Sequence, residues 1–148
     1  MKLTSIFKNN EAIPSRYTCD GENINPRLVI EDVPLNTASL ALIMHDPDAP
    51  MSGGFTHWVA WNLSPKLKHI EENSFPKEGI QGENGAKLKK YIGPCPPSGT
   101  HRYFFTIYAL NTLLRKEPTF NKDELEKAIQ GHILDKAELV GLYSRKSM

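Results

Sequence analysis

The residues best suited to chemistry lie in three stretches. His45-Asp46-Pro47-Asp48-Ala49-Pro50 follows the apolar run Leu40-Ala41-Leu42-Ile43-Met44. Each proline restricts its own φ and pushes the residue before it into extended geometry, so this loop aims its carboxylates in set directions. His57 sits on the next apolar segment, and Gly93-Pro94-Cys95-Pro96-Pro97-Ser98-Gly99 leads into His101-Arg102-Tyr103. An imidazolium, a phenol and loop N–H groups together suit an anion, with Asp46 orienting a histidine and holding its proton. Asp46, His57 and His101 are also the ligand types of a two-histidine, one-carboxylate metal site, although their spacing carries no metal signature. Cys95 could act as a nucleophile with His101 as its base, but a cysteine between prolines has no helix N-terminus to activate it. No Gly-x-Ser-x-Gly elbow, P-loop or His-Glu-x-x-His motif occurs, so enzyme readings are the weaker ones.

Every one of these residues also has a plainer reading. Asp48 can brace the proline turn by accepting backbone N–H bonds, and Arg102, on the strand face opposite Tyr103, suits an ion pair with a loop carboxylate. Pro50 stiffens the same loop. His57 alternates with apolar residues and on that pattern alone is a core histidine. Tyr103 alternates with Phe105 and Ile107, which suggests packing with a polar tip. His132 fits the end of a helix, where an imidazolium is favoured.

Elements must position these groups. The 148 residues suit one domain, 1–148, with 39% hydrophobic and 24% charged residues, an ordinary balance for a soluble globular protein. A formal net charge of +1 argues against nucleic acid as a partner. No apolar run is long enough for a signal peptide or a membrane span, and the expected compartment is the cytoplasm, where Cys19 and Cys95 would be reduced by default. Strand patterns cover Leu3 to Phe7, Leu28 to Ile30, Ser39 to Met44, Phe55 to Leu63, Arg102 to Leu110 and Ala137 to Tyr143. In the fourth, strict alternation puts His57 with Val59, Trp61 and Leu63. In the fifth, His101, Tyr103, Phe105, Ile107 and Ala109 share a face and Arg102 takes the other. Residues 64–90 read as a long connection with room for a short hairpin. One helix is expected after Pro118, capped by Asn121 with Glu124 at the capping-box position. Many strands and one late helix predict an all-β antiparallel sandwich.

Asp46-Pro47-Asp48-Ala49-Pro50, Thr56-His57-Trp58 and the run from Gly93 to Tyr103 together resemble the phosphatidylethanolamine-binding protein family, also called Raf kinase inhibitor-like proteins. Asp20-Gly21-Glu22-Asn23 and Gly131-His132-Ile133 extend the resemblance over almost the whole chain. It implies a Greek-key β-sandwich and a small pocket for phosphate-like anions, formed by Asp46, His57, His101, Tyr103 and the backbone around Gly93 to Cys95. Asp48, Pro50 and Arg102 would support it. The resemblance also places Cys19 and Cys95 near the same end of the sandwich, close enough to pair on oxidation. The chain stops soon after its last strand, as in the shorter bacterial and archaeal members. The function expected is non-enzymatic binding of a small anion, with no cofactor and no metal. The alternative is a protein-interaction inhibitor of a protease or kinase. Bacterial relatives suggest a homodimer.

Overall fold

The computed structural model describes residues 1–145, so the last three positions of the expected 1–148 domain lie outside the described residues. Among the described residues, nine strands, one α-helix and a 3-10 turn at Ser15–Tyr17 occur: β1 Lys2–Ser5, β2 Glu11–Ala12, β3 Leu28–Glu31, β4 Ser39–Asp46, β5 Phe55–Leu63, β6 His69–Ile70, β7 Ile80–Gln81, β8 His101–Leu110, α1 Lys122–Ile129 and β9 Ile133–Tyr143. They form two sheets, a three-stranded one ordered β1-β3-β6 and a six-stranded one ordered β2-β9-β8-β4-β5-β7. All ladders are antiparallel except the two-residue β2–β9 pairing, which is parallel. β8 is laid on the far side of β4 from β5, so the β5–β8 connection crosses the β4–β5 pair. That connection contributes β6 to the small sheet and β7 to the large one. The two short strands therefore do not form the hairpin allowed for in residues 64–90, because each pairs with an older strand instead.

The large sheet is covered on both faces. Between the sheets lies a core of Leu3, Leu28, Ile30, Leu42, Met44, Trp58, Phe105 and Ile107 with their neighbours. On the opposite face Ile43, Val59, Trp61, Phe120, Leu125 and Ile129 pack under the helix. This explains why β4 reads as buried on both sides. Truncating a buried aromatic such as Phe105 to alanine would cost about 3–5 kcal/mol. The helix begins where its cap predicts. The Glu124 N–H donates to Asn121 Oδ1 at 2.9 Å and the Asn121 N–H to Glu124 Oε1 at 3.0 Å.

β5 departs from strict alternation, and the departure moves His57. Met44 pairs with Trp58 and His45 with Thr56, so His57 is an extra residue on β5. A β-bulge of this kind places two successive side chains on one side of the sheet. His57 therefore lies beside Trp58 on the inter-sheet face, against Tyr103, rather than with Val59 and Trp61 under the helix. A second extra residue falls between Ala60 and Leu63, with Asn62 at φ 54°, and returns Leu63 to the inter-sheet core. The polar tip of Asn62 meets its own partners there, donating to the Leu114 carbonyl and accepting from the Leu114 N–H, both at 2.8 Å. No helix among the described residues is long and apolar enough to cross a membrane.

Candidate functional site

At one end of the inter-sheet core, the β4–β5 loop, the segment before β8 and the loop after Tyr17 enclose a cleft of about 330 Å3. Asp46, His57, Gly93, Cys95, His101 and Tyr103 all line it. Asp46 ends β4 and is 2% exposed. Its Oδ2 accepts from His101 Nδ1 at 2.7 Å, and its Oδ1 accepts from the Asp48 N–H at 2.8 Å. The second bond is the Asx turn expected of a carboxylate placed two residues before an N–H. His101 opens β8 at 7% exposure, and alternation then sends Arg102 out and Tyr103 in.

Arg102 grips Asp48 on the other face. Its Nε and Nη2 donate to Asp48 Oδ2 and Oδ1 at 2.9 and 2.8 Å, and its backbone N–H also donates to Oδ2 at 2.9 Å. These bonds hold the Asp48 carboxyl well below the usual carboxylate range, at about 2. The pair braces the loop that carries Pro50. Pro50 itself lines the cleft together with Ala49, Met51 and Phe55.

Two groups inside the cleft lack full hydrogen-bond satisfaction. Tyr103 is fully buried, and its hydroxyl makes no hydrogen bond within 3.5 Å among the described residues, although the Asp46 carboxylate lies beside it. Burial, and after it the neighbouring Asp46 carboxylate, push this phenol up from its ordinary value. His57 donates from Nδ1 to the Ile92 carbonyl at 2.7 Å, the Gly93 backbone lies beside the ring, and no hydrogen bond within 3.5 Å is made at Nε2 among the described residues. Burial pushes this imidazole down to about 4, outweighing the Ile92 carbonyl and Asp46, which favour the charged form. His57 is therefore neutral near pH 7. The sequence has Asp46 holding the proton of a histidine, and the histidine it holds is His101.

Gly93 serves the cleft through its shape. Its N–H is committed to Asn23 Oδ1 at 2.8 Å, and a Cβ there would collide with Asn23 and the Tyr17 carbonyl. Cys95 is joined to Cys19 by a disulfide between Cα atoms 5.5 Å apart. The proximity implied by the resemblance is present, and the pair is oxidised rather than free. Hydrogen bonds within the described residues fasten Gly93 and Pro94 to the 17–23 loop, but none ties residues 95–100 to another segment. The disulfide is thus the tether of that wall. The metal-ligand alternative finds no support in this geometry, since Asp46 and His101 bond each other and no group of three metal-capable side chains converges among the described residues.

Sequence reasoning missed Asn23, Met51, Phe55 and Ile92 as cleft-lining residues. Only Asn23 had a visible signal, in the Asp20-to-Asn23 match. Its side chain reaches 70 positions along the chain to Gly93. A wider depression of about 530 Å3 lies on the helix side, lined by His45, Thr56, Asn84 and Lys122. Both His45 ring nitrogens are engaged there, with Thr56 Oγ1 at 3.0 Å and the Gly53 carbonyl at 2.8 Å.

Comparisons with known proteins agree over the whole chain. The phosphatidylethanolamine-binding protein family model matches residues 4–144. A UPF0098 protein of Methanothermobacter thermautotrophicus is 50% identical, covering 96% of this chain and 97% of its own. One from Pyrococcus horikoshii is 49% identical over 99% of this chain and 77% of its own. Among solved structures, a phosphatidylethanolamine-binding protein homolog from Chlamydia trachomatis superposes with a TM-score of 0.94 at 41% identity, covering 98% and 97% of the two chains. Escherichia coli YbcL, a member of the mammalian family, superposes with a TM-score of 0.90 at 25% identity, covering 98% of each chain. A carboxypeptidase Y inhibitor complexed with its proteinase shares the fold, with a TM-score of 0.59 at 20% identity, over 93% of this chain and 76% of that one. With a family model spanning residues 4–144 and relatives near half identity over nearly all of this chain, it belongs to the phosphatidylethanolamine-binding protein family.

Proposed function

We propose that this protein is a non-enzymatic binding protein for small phosphate-like anions, seated between His101 and Tyr103. The observation that carries the reading is the buried Tyr103 hydroxyl without a partner, in a cleft shared with a histidine whose Nδ1 is held by Asp46. A buried donor left unmade costs about 1–3 kcal/mol, and an anion oxygen would recover it. Asp46 keeps the proton on His101 Nδ1, so protonated His101 would donate from Nε2. Apolar walls from Pro50, Phe55, Pro96 and Pro97 lower the local dielectric and strengthen both bonds. The test is calorimetric titration with inorganic phosphate. One saturable site is expected, and Tyr103→Phe and His101→Ala should each weaken it at least about fivefold while remaining folded. Absence of saturable binding to the wild-type protein would sink the proposal.

The inhibitor reading rests on a shared fold with a carboxypeptidase Y inhibitor and is the second choice. Assays against a protease panel separate the two, because inhibition that survives His101→Ala would not come from the anion site. A cytoplasmic location belongs to the same proposal. Thiol trapping in intact cells tests it, since an oxidised Cys19–Cys95 pair calls for an oxidising compartment or an intracellular setting that tolerates disulfides.

A further inference from the structure

We infer that His57 is a hydrogen-bond acceptor in this cleft and makes it selective for oxyanions that carry a proton, inorganic phosphate above all, over sulfate of the same charge. The inference rests on the anion-binding reading and specifies the class of anion. A backbone carbonyl can only accept, so the bond to Ile92 O assigns the ring proton to Nδ1. That carbonyl is itself held in place, because the Ile92 N–H donates to the His57 carbonyl at 3.0 Å. Nε2, across the ring, carries a lone pair. It makes no hydrogen bond within 3.5 Å among the described residues, and its ring borders the cleft.

Protonation would turn this acceptor into a donor, and the surroundings oppose it. Phe55 and Tyr103 meet the ring edge-on at centroid distances of 5.0 and 5.2 Å, and burial dominates. The titratable groups that face it are Asp46, His101 and Tyr103, with His45 behind on β4. Asp46 favours a charged ring but already serves His101 and the Asp48 N–H. The cleft therefore offers a donor from Tyr103, joined by His101 when that ring is protonated, on one side and an acceptor from His57 on the other. A hydrogen phosphate dianion meets all three, donating its P–O–H to His57 Nε2. Sulfate would set an oxygen lone pair against the nitrogen lone pair. A phosphomonoester, whose second pKa is near ~6, qualifies only in its acid form.

Calorimetric titrations at pH 8 with inorganic phosphate and with sulfate compare two dianions that differ by one proton. Phosphate should bind about tenfold more tightly, the worth of one good hydrogen bond. Methyl phosphate should behave like sulfate at pH 8 and gain more than inorganic phosphate on moving to pH 5.5. That arm distinguishes free phosphate from an ester as the source. His57→Gln, whose amide can turn its NH2 toward the anion, should cut the phosphate preference to under about threefold. If that variant does not fold, the wild-type comparison still decides. Equal affinities, or tighter sulfate, at pH 8 would overturn the inference and leave the anion site standing. No binding of either ion would remove the site and the inference together.

Discussion

Two acid–base pairs sit side by side in this protein and do opposite work. His101–Asp46 and Arg102–Asp48 join consecutive residues of β8 to carboxylates two positions apart, one ending β4 and one in the loop after it, at 2.7 Å and 2.8 Å. Alternation along the strand sends the first pair inward, where its members are 7% and 2% exposed, and the second to the surface. The surface pair is complete, since its bidentate geometry satisfies both ions and leaves nothing for a ligand. The inner pair satisfies only the half of His101 that faces Asp46. The same bond chemistry is a brace in water and a site when buried beside unpartnered groups. The Asp48 N–H links them, so the brace also orients Asp46.

The largest expected effect comes from the wall that faces the inner pair. Reducing Cys19–Cys95 opens a loop spanning a separation of 76 residues, worth up to about 4.5 kcal/mol in the chain-entropy model. Chemical denaturation with and without reductant should show that loss. Hydrogen exchange should rise at residues 95–100, which have no other tether among the described residues. Unchanged exchange there would mean that packing of the wall prolines suffices.

Next comes the inner pair. Asp46→Ala removes the acceptor for both His101 and the Asp48 N–H, and should cost about 3 kcal/mol while weakening phosphate more than about tenfold. Denaturant melts and calorimetry check both figures. A loss confined to stability would make Asp46 a brace like Asp48 and erase the contrast between the pairs.

Acid should separate the pairs further. An anion beside an imidazole stabilises its protonated form, so by linkage affinity rises as pH falls. Sulfate, whose charge is constant, isolates this linkage and should bind more tightly at pH 5.5 than at pH 8. His57 contributes little to it, because burial holds its pKa near 4. Asp48, held at about 2, stays ionised across that window. Its contribution is present above the ordinary carboxylate pKa of ~3.9 and is lost only as pH falls from there toward 2.

The smallest effect is at the surface. Arg102→Ala should cost under about 1 kcal/mol and weaken phosphate less than about threefold, with the cost shrinking as salt rises. A loss as large as that of Asp46→Ala would show that the brace sets the site's geometry more tightly than its exposure suggests.

Local regularity was legible in the residues alone. The period of two along β8 put His101 and Tyr103 on one face and Arg102 on the other, and Asn121 with Glu124 marked the start of α1. Asp48 and Arg102 were readable as a brace because turn chemistry and strand facing are short-range effects. What depended on strand register and on burial was not. Strict alternation misplaced His57, since a bulge arises from the register of β5 against β4 and leaves no local mark on the sequence. The cleft-lining roles of Phe55 and Ile92 were equally invisible, because a wall is defined by what stands opposite it.

By itself, then, the order of residues determined the turn at Asp46-Pro47-Asp48, the facing of β8, the cap of α1 and, through its motifs, the family. These follow from φ restriction, side-chain period and capping, which act within a few residues. Only the tertiary structure decided that Asp46 bonds His101 and not His57, that burial leaves His57 neutral with an open Nε2, that the Tyr103 hydroxyl has no partner, and that Cys19 meets Cys95. Those outcomes are set by desolvation and by contacts across 35 to 76 positions. Neither quantity exists until the sheets have packed.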